Sequence, residues 1–229
     1  MEIMIFQVSE RWRQAYPDAH AGVLAVRDAA NPAHHEELEK RKAALEEELR
    51  HRYAGQDRAA LLQDPILQAY DSYYKQFKKT YHVQLQLESV LFKGKSIPSV
   101  AALVEAMFMA EMQGLLLTAG HDLDVVQLPL TLDVANGTEN YVLLRGDPQM
   151  PKTGDMMISD RQGIVSSIVY GPDQRTQITP ATRSAVFTIY APAGVPVDDI
   201  TRQLEEIRDN IRLITPEAAV EVLEVYSAQ

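Results

Sequence analysis

Residues 154–191 read GDMMISDRQGIVSSIVYGPDQRTQITPATRSAVFTIYA, and this stretch determines the fold of the second half of the chain. Its β-branched and aromatic runs predict three strands, Met156–Ser159, Ile164–Tyr170 and Ala185–Tyr190. A short turn joins the first two strands. The loop Gly171–Arg183 joins the last two and holds most of the polar side chains of the stretch, which makes it the first place to expect function.

Outside this stretch, the chain changes character at about residue 114. Apolar residues recur at helical spacing before that point, and strand-like runs follow it, apart from one amphipathic helix near the end. We therefore predict a single α+β domain over residues 1–229, with a helical part at about 31–113 and a strand-rich part at about 115–226. The predicted sheet is mixed and mainly antiparallel, with helices packed against it.

Three helix starts and one helix face support this division. Asn31 before Pro32 is typical of an N-cap followed by proline at the first helical position, and Pro98 is expected to open a second helix that ends near Gly114. Pro65 opens a third predicted helix, which reaches Lys79. Near the end of the chain, a helix is predicted from four apolar residues three and four positions apart, namely Ile200, Leu204, Ile207 and Ile211.

Composition limits the classes of function. The chain has 22 Lys and Arg against 32 Asp and Glu, a formal charge of −10, so any nucleic-acid site has to be a local basic patch. There are no cysteines, which excludes disulfides, thiolate nucleophiles and cysteine-ligated zinc. No apolar run reaches the roughly 18 residues of a membrane span. We expect a cytoplasmic protein with no membrane or DNA partner.

The predicted helix from Pro65 to Lys79 and the residues after it mix aromatic rings with positive charge. Rings and lysines together are the mixture that stacks bases and holds phosphates, so Lys75, Lys78 and Lys79 are candidate RNA contacts. The rings also recur at spacings of three and four, as a core-facing stripe does, which would leave the lysines as an ordinary solvated face. Both interpretations stay open for this set: Tyr70, Tyr73, Tyr74, Phe77 and Tyr81.

A second candidate cluster is AGHDLD at residues 119–124, which contains His121 and Asp124. An imidazole and carboxylates this close together are able to position a water molecule or bind a metal. The same pattern is common in turns, where the acids bond the local backbone. The chain contains no GxGxxG, GxxxxGK[ST], HExxH or GxSxG motif, so we expect no nucleotide cofactor and no metal.

The segments QGLLLTAGHDLD, from Gln113, and GIVSSIVYGPDQRTQITPATRSAVFTIYA, from Gly163, together resemble the B3/B4 domain of the phenylalanyl-tRNA synthetase beta subunit. They are more similar still to free-standing proteins that consist of that domain alone. The resemblance covers roughly Tyr70 to Arg212. Gln113 stands where the family has asparagine, and Thr188 stands where the family has an acidic residue.

This resemblance implies a function and a set of roles. In the synthetase, the domain hydrolyses tRNA esterified with the wrong aromatic amino acid, and neither a covalent nucleophile nor a metal is required. By analogy, His121 and Asp124 position water, and Gln113, Asp173, Thr179 and Thr182 bind the aminoacyl end. Arg175 and the three lysines contact tRNA. The predicted pocket lies between residues 113–124 and the 173–182 loop.

Two functions are therefore carried forward. The first is a tRNA-binding module, either without catalysis or with hydrolysis of mischarged aminoacyl-tRNA in trans. The second is a protein that keeps the B3/B4 fold and binds a small molecule or another protein without catalysis, which the acidic composition favours.

Overall fold

The computed structural model describes residues 4–228, and it confirms the α+β class. Seven helices lie in this part of the chain. The first, α1, was not predicted; Ser9 caps it by accepting a hydrogen bond from the Trp12 backbone N–H. The helices are α1 (Glu10–Ala15), α2 (Glu36–Arg52), α3 (Arg58–Leu61), α4 (Pro65–Gln76), α5 (His82–Lys93), α6 (Ala102–Gly114) and α7 (Val197–Ile214).

The described strands form two main sheets and a small ribbon, where the sequence had suggested one sheet. They are β1 (Phe6–Val8), β2 (His20–Arg27), β3 (Thr118–Asp122), β4 (Leu130–Val134), β5 (Tyr141–Val142), β6 (Pro148–Gln149), β7 (Met156–Ser159), β8 (Ile164–Ser167), β9 (Gly171–Pro172), β10 (Ala185–Ala191) and β11 (Ala219–Ser227).

The strand order explains the mainly antiparallel character. One sheet has the order β1-β4-β7-β8-β9, in which β1 and β4 run parallel and the other pairs are antiparallel. The other sheet has the order β11-β2-β10-β3 and is antiparallel throughout. The ribbon pairs β5 with β6. In the four-stranded sheet β3 is an edge strand, a position that matters for the site below.

Helix α7 covers one face of the four-stranded sheet at close range. A Cβ added to Gly22 on β2 would lie 2.5 Å from Ile200 Cγ2, so only glycine lets the helix approach this near. Apolar residues from both parts of the chain share one core, in which Leu45, Phe187 and Ile207 are fully buried. Within residues 4–228, no helix combines the length and apolar character needed to cross a bilayer.

The helix start predicted at Asn31 and Pro32 was wrong, and the error has a physical reason. Helix α2 begins at Glu36, and the side chain of Asn31 serves a different helix. Asn31 Oδ1 accepts a hydrogen bond from the Leu103 backbone N–H at 2.9 Å, and its amide donates to the Thr179 carbonyl at 2.7 Å. Asn31 therefore satisfies an unpaired N–H in the first turn of α6 and ties this helix to the loop before β10.

Two other predicted boundaries were also wrong. Helix α6 begins at Ala102, four residues after Pro98. Strand β8 ends at Ser167 and not at Tyr170, because the chain turns there and Gly171 pairs back with Ser167. The Ser167 hydroxyl accepts the Tyr170 backbone N–H at 3.1 Å and so stabilises this turn.

Candidate functional site

His121 lies on β3 and is fully buried in a chain of hydrogen bonds. The Thr176 hydroxyl donates to Asp173, so it accepts from His121 Nδ1–H, at 2.8 Å. His121 Nε2 then accepts from the Ser166 hydroxyl at 3.3 Å, and Ser166 is bonded to the Tyr190 hydroxyl. Burial lowers the pKa of His121 to about 4, which keeps the ring neutral. Both ring nitrogens are occupied, and the imidazole holds β3 to β8 and to the 173–176 turn.

The two threonines of the predicted site and Asp124 lie near the C-terminal end of β3, beside His121. Thr182 donates its hydroxyl to Asp122 and accepts the Thr179 backbone N–H at 2.9 Å, so both threonines build the loop before β10. Asp124 is exposed and faces Arg27, with 3.4 Å between Oδ1 and Nη1. Asp124 therefore lies at the surface, while His121 is enclosed. Within residues 4–228, no group of three or more histidine and acidic side chains is placed to hold a metal ion.

Arg175 is bound to carboxylates. Its Nη1 and Nη2 donate to the two oxygens of Asp160 at 2.9 Å each, and its Nε lies 3.6 Å from Asp173 Oδ2. The Asp160 side chain is completely buried, so the pair clamps the 173–176 turn to the end of β7. A contact from Arg175 to a phosphate would require this pair to open.

Gln113 lies apart from the other predicted residues, at the end of α6. Its carbonyl accepts from Arg41 Nη2 at 2.9 Å, and its amide donates to Glu206 on α7. It lines a polar cavity of about 350 Å³ whose other walls include Arg52, Asp64 and Arg202. Gln113 therefore lines this cavity between α6 and α7.

The aromatic residues of α4 and its C-terminal extension belong to the core. The five rings are at most 5% exposed, and the stacked pair Tyr70 and Tyr81 has centroids 4.2 Å apart. The core-stripe interpretation of the sequence is thus the right one for the rings. The lysines remain at the surface: Lys75 pairs with Asp71 at 2.6 Å, and Lys79 Nζ lies 5.4 Å from the centre of the Tyr170 ring.

A cavity of about 450 Å³ lies between α6, β3 and the loop that follows β9. We refer to it as the β3–α6 cavity. It lies between the 113–124 and 173–182 segments. Its walls are formed by neighbours of the predicted site residues and not by those residues themselves. Most of the lining is apolar, as is typical of ligand sites, and includes Val104, Met107, Phe108, Leu117, Ala119 and Ile178.

Glu111 is the acidic side chain in this wall. Its Oε1 accepts the Thr118 backbone N–H at 2.9 Å, while no group within residues 4–228 is hydrogen-bonded to Oε2, which is open to the solvent in the cavity. The residue is 2% exposed, and burial raises its pKa to about 8. Because Oε1 is an acceptor, the proton at neutral pH belongs on Oε2, which becomes an O–H donor in an apolar cavity.

The open edge of β3 supplies a second donor. The N–H groups of Thr118 and Asp122 point away from β10, since they donate to Glu111 and to the Thr176 carbonyl. N–H direction alternates along a strand, so the N–H of Gly120 points the same way, toward the cavity. A Cβ on Gly120 would lie 3.0 Å from Ile178 Cδ1, and a larger residue would crowd this wall.

Sequence reasoning missed Glu111, Gly120 and His82, the last of which lines the same cavity from the start of α5. One signal was available, because Glu111 is an acid within the apolar run MFMAEMQG, where a purely structural helix would place an apolar residue. The roles of Gly120 and His82 depend on strand order and on residues distant in sequence.

The comparisons with known proteins were made against family models, curated proteins and solved structures. No family model matches the chain, and no curated protein matches it. Among solved structures, the chain is similar to an N-terminal fragment of the phenylalanyl-tRNA synthetase beta-subunit from Pyrococcus horikoshii, with a TM-score of 0.49 and 9% sequence identity. The alignment covers 97% of this chain and 55% of that one, so this chain spans about half the length of the fragment.

Proposed function

We propose that the chain binds a small molecule or acyl group in the β3–α6 cavity, with an apolar body and a hydrogen-bond acceptor directed at Glu111 and Gly120. The observation that carries this proposal is the free Oε2 of a carboxyl that is 2% exposed, in a cavity of about 450 Å³ with mainly apolar walls. An apolar ligand that displaced solvent from this group without offering a partner would lose about 1–3 kcal/mol. A ligand carbonyl, ester or amide would supply the missing partner.

The apolar lining sets the character of the ligand body. Met107 and Phe108 offer adaptable and aromatic contact surface, which suits a planar or branched hydrocarbon group. An isolated anion is disfavoured, because no Lys or Arg of residues 4–228 lines this mostly apolar cavity to pair with it. Uncharged esters and amides of apolar acids are the class that fits these walls best.

A cavity-filling variant tests this proposal. Val104→Trp should reduce the affinity for indole, used as a neutral probe, at least tenfold, because the larger ring occupies the cavity. Affinity is measured by isothermal titration calorimetry. Val142→Trp makes the same change at an exposed position outside this cavity and should bind indole as the wild-type protein does. Equal affinity of Val104→Trp and the wild-type protein would show that indole binds elsewhere and would refute the proposal.

The second candidate is the tRNA-binding or aminoacyl-tRNA-hydrolysing function expected from the sequence, and the charge at the cavity mouth favours it. Leu144 and Pro172 line both this mouth and a shallow surface depression that contains Arg145 and Tyr170. The ammonium of Lys79 stands over the same tyrosine. A nucleic-acid strand held by Lys79, beside the ion pair of Arg145 with Asp147, would carry an esterified acyl group into the cavity.

If the chain hydrolyses aminoacyl-tRNA, His121 and Asp124 remain the residues predicted to position the water molecule. His121 uses both ring nitrogens within the fold, which supports an anchoring role. Turnover of mischarged tRNA by the wild-type protein above a protein-free blank, measured at low salt, would demonstrate catalysis. If there is no turnover, tRNA binding without catalysis is the remaining form of this candidate.

The lysines of α4 and its extension give a separate test of RNA binding. Changing Lys75, Lys78 and Lys79 together to glutamine should weaken tRNA binding, and it should lower the slope of log K against log salt by about 2 to 3, because each phosphate contact contributes about 0.9. Fluorescence anisotropy over a salt series measures both. A control variant removes three positive charges elsewhere, at Lys40, Arg202 and Arg212. Equal losses in the two variants would rule out a specific role for the three lysines.

A further inference from the structure

His82 stands where two hollows meet. It is the first residue of α5 and lines both the β3–α6 cavity and a neighbouring cleft of about 380 Å³. We call the second hollow the α5 cleft; its other walls include Leu85, Ile97 and Met112. Gln86 and Phe108 are also shared, so the two hollows adjoin along these three residues, and we call the pair the two-lobed site.

The tautomer of His82 is set by its neighbour Tyr74. The Tyr74 hydroxyl donates its proton to the Ile168 carbonyl, so it can only accept from the imidazole. His82 Nδ1 lies 3.2 Å from the Tyr74 oxygen and is therefore the protonated nitrogen. Nε2 then carries a lone pair; no group within residues 4–228 is hydrogen-bonded to it, and it is open to the solvent of the two hollows.

Burial keeps this arrangement in place near neutral pH. The pKa of His82 is lowered to about 4 by burial, so the ring does not gain a second proton in the physiological range. At neutral pH, Nε2 is thus a fixed acceptor in a mostly apolar site. The other free polar groups of the site, Glu111 Oε2–H and Gly120 N–H, are donors. These donors lie on α6 and β3, whereas the acceptor His82 lies on α5.

We propose that His82 selects the ligand of the two-lobed site by accepting a hydrogen bond at Nε2, so that the bound molecule carries an uncharged N–H or O–H donor between its two apolar parts. This inference rests on the proposed ligand-binding function and specifies its substrate class. A ligand with an acceptor toward Glu111 and a donor toward His82 satisfies the polar atoms that the fold leaves free. A molecule lacking the donor leaves Nε2 desolvated and unpaired.

Matched probes and variants test the inference. Indole carries the N–H donor and 1-methylindole does not. The wild-type protein should bind indole about fivefold more tightly, the fold-change expected for one neutral hydrogen bond. His82→Phe removes the acceptor and keeps a ring, so it should bind both probes equally. His82→Gln can place an amide oxygen near the Nε2 position and should recover part of the preference. Titration calorimetry of each pair measures the ratio.

Nitrogen-15 spectra of the histidine side chains provide a readout that does not depend on probe binding. In the free wild-type protein, the His82 ring should show the Nδ1–H tautomer at pH 7, and Tyr74→Phe should lose this preference. Addition of indole should shift the Nε2 resonance. An Nε2–H tautomer, or an unchanged indole preference in His82→Phe, overturns the inference. If both probes bind equally well to the wild-type protein, the cavity proposal stands and only the role of His82 fails.

If neither probe binds the wild-type protein, the cavity does not take up a neutral apolar ring, and the proposed ligand-binding function fails. The role of His82 as the selecting acceptor fails with it, even if the spectra show the Nδ1–H tautomer. The two failures are thus distinguished by whether indole binds at all.

Discussion

Replacing Arg175 with methionine is expected to lower the free energy of unfolding by about 3 kcal/mol, because the change leaves the completely buried Asp160 carboxylate without its cation. Methionine keeps much of the apolar stem, so lost packing contributes little. Urea denaturation followed by circular dichroism measures the loss. Arg212→Met, at an exposed position on α7 where the guanidinium makes no side-chain hydrogen bond within residues 4–228, is the control and should change stability by less than about 0.5 kcal/mol.

A double variant separates the ion pair from other effects of the substitution. In the combined Asp160→Asn and Arg175→Met protein no charge is left buried, so its stability should exceed that of Arg175→Met alone. If the double variant is no more stable than the single one, the buried charge is not the cause of the loss.

The stability lost in Arg175→Met should depend on pH, because Asp160 has to be ionised to pair with Arg175. Burial alone would raise the pKa of Asp160, but the hydrogen bonds from Arg175 and from backbone N–H groups hold it below its usual value of 3.8. The stabilisation by the pair is therefore present above pH 4 and lost as the pH falls through the lowered pKa. The difference between the wild-type protein and Arg175→Met should shrink in acid. A constant difference down to pH 2 would contradict this origin.

The stability of the wild-type protein relative to Glu111→Gln should fall as the pH rises from about 4.5 to about 8, by on the order of 5 kcal/mol. The folded state holds the Glu111 proton up to a pKa of about 8, whereas the unfolded chain releases it near 4.5. The stabilisation is thus complete below pH 4.5, declines across this window and is absent above pH 8. Denaturation at a series of pH values gives the profile.

Glu111→Gln is the control for this prediction. The amide keeps the shape of the protonated acid, and its carbonyl is able to accept the Thr118 N–H, but it does not titrate. The variant should match the wild-type protein near pH 5 and exceed its stability at pH 8.5. Parallel profiles for the two proteins would mean that Glu111 is not the group responsible for the decline.

Elements whose signals are local could be predicted from sequence. Ile200, Leu204 and Ile207 lie on the buried face of α7, as their spacing requires, and the apolar run of β10 is buried at every position. The prediction that Asn31 caps the helix after it was wrong, because its partner, the Leu103 N–H, belongs to a helix that lies far along the chain. A cap of this kind has no local signature.

The candidate site was located only approximately, for a related reason. The 113–124 and 173–182 segments do flank the β3–α6 cavity, but burial decides which of their side chains reach it. His121 and Gly120 are adjacent on β3, and the alternation of the strand directs the imidazole into the hydrogen-bond chain. That β3 is an edge strand, and so has a free N–H at Gly120, follows from strand order, which the sequence does not state.

Strand β2, near the beginning of the chain, lies between β10 and β11, both of which come from its last part. Its two hydrogen-bonded edges are therefore filled only by residues 185–191 and 219–227. During translation, the nascent chain carries this apolar segment unpaired until the final strand leaves the ribosome exit tunnel. A product that ends before residue 219 would leave the β11 edge of β2 unpaired, and an unpaired strand edge of this kind promotes aggregation.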